Sequence, residues 1–268
     1  MSKRKCHENF CDVLNVANSK YIALCEGDDY WIDKNKLQIQ VDLLDKNEDC
    51  NICFHKALYK FEDKSKKDYQ FPKLKTKRLK FDDLLKQNFI QTNSCVYRWQ
   101  YNNVDIRTIY KGGIMPGDWF LHLLHADKGD ILFINKTMSV YRINPKGVWF
   151  NSYKNREGLF LKYGLEMLKF FKVVKITFNL DKTYYDFHRE MISDIIFAYC
   201  INYKMEEMKT IQQEFSEFIE FFKSGYVLKN QKLNTKLKKY RRLYQILFGI
   251  LILLFVITIS IFVARGIN

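Results

Sequence analysis

The chain has 268 residues, of which 47% are apolar and 16% are aromatic, so it can bury a sizeable core and is not an intrinsically disordered protein. Its net charge of +14 lies in two segments, residues 64–80 and 228–242, which carry +7 each and leave the rest neutral in sum. Since neither segment comes with a recognisable nucleic-acid-binding motif, the sequence predicts no nucleic-acid partner.

Hydrophobic periodicity predicts alternating helices and strands up to residue 142 and a helical, aromatic-rich region beyond it. The predicted helices cover residues 1–20, 36–44, 81–87, 117–126 and 153–225. The predicted strands cover residues 21–25, 51–61, 90–98 and 130–142, and residues 62–80 are predicted to be a charged loop. This alternation indicates an α/β fold.

The seven cysteines are odd in number and do not have the spacing of a disulfide framework, which predicts a reducing compartment. Cys50 and Cys53 have the spacing of a redox or zinc motif, but no second pair accompanies them. Because Cys53 lies in an apolar run, we expect both cysteines to belong to the core.

A C-terminal segment has the character of a membrane anchor. Residues 243–264 are uncharged and overwhelmingly apolar, and a helix of this length spans about 33 Å, enough to cross a bilayer. Basic residues are concentrated in the preceding segment 228–242, whereas Arg265 alone follows the helix. The positive-inside rule therefore predicts a single-pass anchor with the N-terminal domain in the cytosol. The basic segment would lie against anionic lipid.

Acidic residues follow the first predicted strand. Glu26, Asp28 and Asp29 come directly after the apolar run 21–25. Carboxylates are the ligands that Mg²⁺ and Mn²⁺ prefer, and the crevice beyond the carboxyl ends of strands is where α/β folds bind ligands. The alternative is an ordinary turn or helix cap rich in acids.

The sequence Tyr-Ile-Ala-Leu-Cys-Glu-Gly-Asp-Asp-Tyr-Trp at residues 21–31 resembles the donor-site segment of family 2 glycosyltransferases, which are inverting enzymes with the GT-A fold. Further matches follow in the family's order at residues 53–57, 115–119, 141–143 and 147–149. The resemblance covers residues 10–150. It implies a partial GT-A, Rossmann-like mixed sheet flanked by helices, followed by a helical region and one transmembrane helix.

The resemblance also implies roles for individual residues. Glu26 and Asp28 take the places of the family's metal-binding acids, with Asp29 adjacent, and would hold Mg²⁺ or Mn²⁺ on the diphosphate of a nucleotide-sugar donor, expected to be a UDP-sugar. Asp118 takes the place of the catalytic base, the alternative being a helix cap. The residues expected to contact substrate are Trp31, Trp119, Arg142 and Trp149.

The chain departs from the family pattern at two points. The family normally begins with a Val- and Ile-rich strand that binds the nucleotide base, whereas only 25 residues precede Glu26 here. We therefore expect a core lacking its first βαβ unit. A different start, a partner that supplies the missing half, and a degenerate relative are all open explanations. The second departure is Asn144, where relatives often have His.

Together these features predict four parts: a glycosyltransferase-like core, a helical region, a basic juxtamembrane segment and a transmembrane helix. Their bounds are 1–150, 151–227, 228–242 and 243–264. The leading hypothesis is a membrane-anchored glycosyltransferase for a saccharide or lipid-linked acceptor, in surface glycan or lipid-linked saccharide synthesis. One alternative is an inactive remnant that acts as a membrane-bound binding or assembly module. Another is a basic membrane-surface protein without sugar chemistry.

Overall fold

The computed structural model describes residues 6–109, 113–145, 147 and 156–219. The predicted basic segment 228–242 and the predicted transmembrane segment 243–264 lie outside these ranges. Within them, no helix combines the length and the apolar character that crossing a bilayer requires.

A mixed sheet of seven described strands forms the centre of the fold. The strands are β1 (Tyr21–Ala23), β2 (Tyr30–Trp31), β3 (Cys50–Phe61), β4 (Tyr69–Phe71), β5 (Arg78–Leu79), β6 (Val96–Arg98) and β7 (Asp130–Ile143). Five of them lie in the order β1-β6-β3-β7-β2, while β4 pairs with β3 and β5 pairs with β7. Among these strands, β3 and β7 run parallel to each other and every other pair is antiparallel.

The two longest strands of the sheet, β3 and β7, are parallel neighbours in its interior. Most residues of β3 are buried, as expected for a strand covered on both faces. Phe54 lies opposite Phe133 in the register, with 5.1 Å between the ring centroids. Farther along, Tyr59 lies opposite Tyr141 at 4.9 Å. These cross-strand aromatic pairs fix the register of the two strands.

Eight described α-helices surround the sheet. They are α1 (Cys6–Asn15), α2 (Lys36–Lys46), α3 (Phe81–Lys86), α4 (Ile106–Ile109), α5 (Gly117–Ala126), α6 (Arg156–Thr177), α7 (Arg189–Ile201) and α8 (Met205–Glu214). One hydrophobic cluster joins Phe54 of the sheet, Phe120 of α5, Phe171 of α6 and Tyr199 of α7. The helices after residue 156 therefore share the core of the sheet.

Most elements agree with the sequence predictions. The mixed α/β architecture with flanking helices is confirmed, and it is compatible with a partial Rossmann-like fold. Helices α2, α3 and α5 and strands β3 and β7 begin and end within a few residues of the predicted bounds. The apolar residues of α1 are only partly buried: Leu14 is in the core, but Val13 is 61% exposed.

Three local predictions were wrong in part. Residues 62–80 contain two short strands, β4 and β5. Tyr69 of β4 stacks on Tyr59 of β3, and β5 pairs with β7. The predicted strand 90–98 is a strand only from Val96, after a 3₁₀ turn at Thr92–Ser94. The predicted buried strand 21–25 is instead a half-buried edge strand.

Candidate active site

The acidic turn, residues 26–29, lies between strands β1 and β2. Strands β1 and β2 lie at opposite ends of the strand order, so the chain between Ala23 and Tyr30 passes over the strands between them. Strand β1 is antiparallel to β6, which is antiparallel to β3, so β1 runs parallel to β3 and β7. The turn therefore follows the carboxyl end of β1, and its last residues lie beside Val140 and Arg142, near the carboxyl end of β7. Ligands of α/β sheets bind beyond the carboxyl ends of strands. It is closed by a hydrogen bond of 3.0 Å from the Asp29 amide to the Glu26 carbonyl oxygen.

Asp29 is buried and both of its carboxylate oxygens accept hydrogen bonds from the protein. The side-chain amide of Asn93 donates to Oδ2 at 2.8 Å, and the backbone amide of Arg142 donates to Oδ1 at 2.9 Å. Burial raises the pKa of Asp29 to about 6, and the nearby charge of Asp28 adds to this, while both hydrogen bonds oppose it. Asp29 thus braces the turn against β7 and the 3₁₀ turn.

Asn93 is the centre of a buried polar network. Its Nδ2 also donates to the Val140 carbonyl oxygen at 3.0 Å, and its Oδ1 accepts from Ser139 Oγ at 2.8 Å. Its own carbonyl oxygen accepts from the Trp31 indole at 2.9 Å. A fully satisfied buried amide of this kind specifies one arrangement of the segments around it. Sequence reasoning missed Asn93, although four consecutive polar residues, 91–94, inside an apolar run were a visible signal.

Thr92 connects the acidic turn with Asp118 at the start of α5. Its hydroxyl donates to Asp118 Oδ2 at 3.3 Å, while the Trp119 backbone amide donates to Oδ1 at 2.8 Å. Hydrogen bonding by Thr92 also lowers the pKa of Glu26. The structure thus brings together Glu26, Asp29 and Asp118, which the sequence singled out separately.

The pKa values of these acids are raised. Burial raises the pKa of Asp118, opposed by the hydrogen bonds from Trp119 and Thr92. The pKa of Glu26 rises to about 7, because surrounding protein desolvates the carboxylate and because Asp29 and Asp118 carry like charges nearby. Glu26 still has solvent-exposed surface, as a side chain in an open crevice does. Closely spaced carboxylates with raised pKa values are typical of sites that handle protons.

Arg142 holds the acidic turn from the end of β7. Besides the backbone bond to Asp29, its Nη1 donates to the Asp28 carbonyl oxygen at 3.1 Å and its Nε donates to Glu62 at 2.6 Å. The guanidinium is therefore fixed beside the turn. Its predicted contact with substrate stays a prediction.

The tryptophans named from the sequence differ in their surroundings. Trp31 is half-buried, and its ring lies 4.3 Å from the buried Lys36 ammonium nitrogen, whose pKa burial lowers to about 8. Trp119 is buried, and its indole donates to the Leu84 carbonyl oxygen at 2.9 Å. Trp149 lies outside the described residues. The substrate contacts of all three stay predictions.

The acidic turn has few side chains to offer a metal. No group of three or more His, Cys, Asp or Glu residues in the described ranges could by itself hold a metal ion. Glu26 and Asp28 are exposed, whereas both oxygens of Asp29 are occupied. Mg²⁺ is usually held by one or two carboxylates together with substrate phosphates and water. The donor set therefore fits a cation that arrives with a phosphate-bearing substrate.

Comparison with known proteins gives relatives but no family. No protein-family model matches the chain. An uncharacterized protein of Mycobacterium tuberculosis and one of Mycobacterium bovis are each 47% identical to it over 151 residues. The match covers 56% of this chain and 42% of theirs, so the chain spans less than half the length of the curated relatives it matches. A crystal structure of S. aureus TarS 1-349 aligns with a TM-score of 0.34 and 10% identity, over 77% of this chain and 69% of that one.

Proposed function

We propose that this chain is a membrane-anchored glycosyltransferase. It would transfer a sugar, with inversion, from a UDP-sugar to a hydroxyl group of a saccharide or lipid-linked acceptor, in surface glycan or lipid-linked saccharide synthesis. The observation that carries the proposal is the convergence of Glu26, Asp29 and Asp118 around Thr92 and Asn93, beyond the carboxyl end of β1. The family-like motifs at residues 21–31 and 115–119 supply these acids.

Glu26 and Asp28 would hold Mg²⁺ or Mn²⁺ together with the donor diphosphate. When bound, the cation would neutralise the charge that develops on the departing nucleoside diphosphate. Asp29 would keep the turn in place rather than bind the metal, since Asn93 and Arg142 occupy its oxygens. A Cβ atom added at Gly27 would meet nothing within 4 Å, so the backbone of the turn is open to a ligand.

Asp118 would act as general base. The acceptor oxygen attacks the anomeric carbon, the bond from that carbon to the diphosphate oxygen breaks, and the hydroxyl proton passes to Asp118. A raised pKa suits this step, because it makes the carboxylate a stronger base. The Trp119 amide and the Thr92 hydroxyl hold the carboxylate in position.

The proposal predicts metal-dependent donor binding. The full chain, kept soluble by an amphipathic polymer, is titrated with UDP by calorimetry with and without Mn²⁺. We expect binding only with Mn²⁺, and at least tenfold weaker binding for Asp28→Ala, because the variant loses an exposed carboxylate ligand. Asp118→Asn should bind UDP normally but lose turnover of a UDP-sugar.

Glu48→Ala is the matched control. It removes an exposed acid that lies just before the amino end of β3 and is not one of the acids of the candidate site. It should bind UDP as the unmodified chain does. Absence of binding by a folded protein would reject a self-sufficient enzyme. A membrane-bound binding or assembly module, or a core completed by a partner, would then take its place.

A further inference from the structure

A partly open pocket of about 210 Å³ lies between the start of α5 and the helices α6 and α7. The described residues that form its walls include Met115, Pro116, Trp119, Leu159, Met167 and Met191. Three of them are methionines, whose flexible and polarizable side chains adapt to ligands of different shape. An engineered apolar cavity of about 150 Å³ suffices to bind benzene, so this pocket has room for a hydrocarbon group.

The interior of the pocket offers no charge to a ligand. Among the described lining residues, Arg156 alone carries a charge. Its side chain is 52% exposed, its Nη1 lies 3.8 Å from an Asp194 carboxylate oxygen, and its guanidinium faces the Phe160 ring at 5.1 Å. Because that charge is solvated and paired, the pocket selects for an apolar group rather than for an anion.

The pocket lies directly beside the proposed base. Met115, Pro116 and Trp119 flank Asp118 in the sequence and line the pocket. Successive helical residues point about 100° apart, so the first turn of α5 presents Asp118 towards Thr92 and Trp119 towards the pocket. Asp118 does not itself line the pocket, but the lining includes Pro116, two residues before it, and Trp119, the residue after it.

We propose that this pocket binds an aliphatic chain of the acceptor, next to the hydroxyl group that reacts. The inference rests on the proposed function, because it names the acceptor class for the same site. The pocket is larger than the cavity of about 150 Å³ that holds benzene, so it has room for a short alkyl chain. The acceptor would thus be an amphiphile whose hydrocarbon part begins close to the reacting sugar.

A series of n-alkyl β-glucosides from methyl to decyl tests this assignment. Binding to the full chain, in the amphipathic polymer, is measured by calorimetry and by tryptophan fluorescence, with polymer alone as blank. We expect the Kd to fall about three- to fourfold for each added methylene, the equivalent of about 0.8 kcal/mol, until the chain fills the pocket. Longer chains should add little, because the pocket is then full.

Two substitutions locate the binding. Met191→Trp fills the pocket from a half-buried position on α7 and should abolish the dependence on chain length. Met205→Trp introduces the same ring at an exposed position that is not part of the lining, and should leave the series unchanged. Thermal unfolding of both variants shows whether they are folded, and the series in the unmodified chain stands without them.

The donor titration separates the two proposals. No chain-length dependence, or equal loss in both variants, in a protein that still binds UDP with Mn²⁺ would overturn the pocket assignment and leave the enzyme proposal standing. A chain-length series lost only in Met191→Trp, in a protein that binds no UDP, would support hydrocarbon binding and reject the enzyme.

Discussion

Thr92 is the residue at which the two halves of the candidate site meet. The Thr92 hydroxyl donates to Asp118. Hydrogen bonding by Thr92 lowers the pKa values of both Asp118 and Glu26. Because a hydroxyl has one hydrogen to donate, the two carboxylates compete for it unless one of them is protonated. The protonation state of the pair therefore depends on a neutral side chain between them.

Replacing Thr92 with Val keeps the shape of the side chain but removes the hydroxyl. A hydrogen bond to the charged form of an acid lowers its pKa, so its loss raises the pKa values of Asp118 and Glu26 further. Since the base acts only when deprotonated, the acidic limb of the pH profile of kcat/KM should move to higher pH. On the acidic limb we expect a loss of up to about tenfold, the equivalent of one hydrogen bond to a charged group, and little loss at pH 9.

Thr92→Ser keeps the hydroxyl and is the matched control. Its acidic limb should stay where it is in the unmodified chain. An equal loss of activity at pH 6 and pH 9 in Thr92→Val, or the same shift in Thr92→Ser, would show that Thr92 acts by packing alone.

The sequence predicted the acids of this site but not the residues that connect them. Glu26, Asp28 and Asp118 belong to motifs whose order along the chain is recognisable. Thr92 and Asn93 act through hydrogen bonds to Asp118 and to a turn that is remote in sequence. Such bonds depend on tertiary position, so the polar run around Asn93 marks a polar site in the sequence but does not reveal its partners.

At the scale of elements, the close packing of α6 against α7 has a specific cause in Gly164. A Cβ atom at this position would lie 2.7 Å from Ile195 Cγ2 and 2.8 Å from the Tyr199 hydroxyl. The same hydroxyl accepts a hydrogen bond from the Leu165 backbone amide at 3.1 Å. The absence of a side chain at Gly164 therefore allows the two helices to touch.

Gly164→Ala should destabilise the protein. Overpacking costs about 1–3 kcal/mol, and the better helix propensity of alanine offsets only about 1 kcal/mol of it. Because the contacts are far shorter than van der Waals distance, we expect a lower midpoint of thermal unfolding, followed by circular dichroism. Gly27→Ala is the control, since a Cβ there meets nothing within 4 Å and its midpoint should not change. Equal midpoints for both variants would contradict this account.

The long elements were predictable, whereas the short strands β4 and β5 were not. The near-continuous apolar pattern of β3 identifies a buried strand, and the periodicity of α2 identifies a helix. Strands β4 and β5 have three and two residues within a lysine-rich segment, so local composition favours a loop. They form because β3 and β7 offer strand edges to pair with. That pairing energy is not contained in the local sequence.

At the scale of the whole molecule, buried titratable groups set the response to pH. The buried residues His55, His122, His125 and His188 have pKa values lowered to about 4, 3, 4 and 4 by burial. Their contribution to stability is complete above the unfolded pKa of about 6.5 and is lost as the pH falls towards 4. The raised pKa values of Glu26 and Asp29 act in the opposite sense, since their contribution is lost as the pH rises through 6 and 7.

Four histidines outweigh these acids, so unfolding at pH 5.5 should take up about one to two protons and stability should rise with pH from 4.5 to 6.5. Denaturant unfolding across this range measures the slope. His188→Gln should flatten the slope by about one proton, because it removes one buried imidazole while its amide can still donate to the Leu85 carbonyl oxygen. Glu26→Gln should steepen the slope between pH 5 and 7, because it removes an opposing group. A stability that is constant or falls with rising pH would show that the histidines are not held neutral in the folded protein.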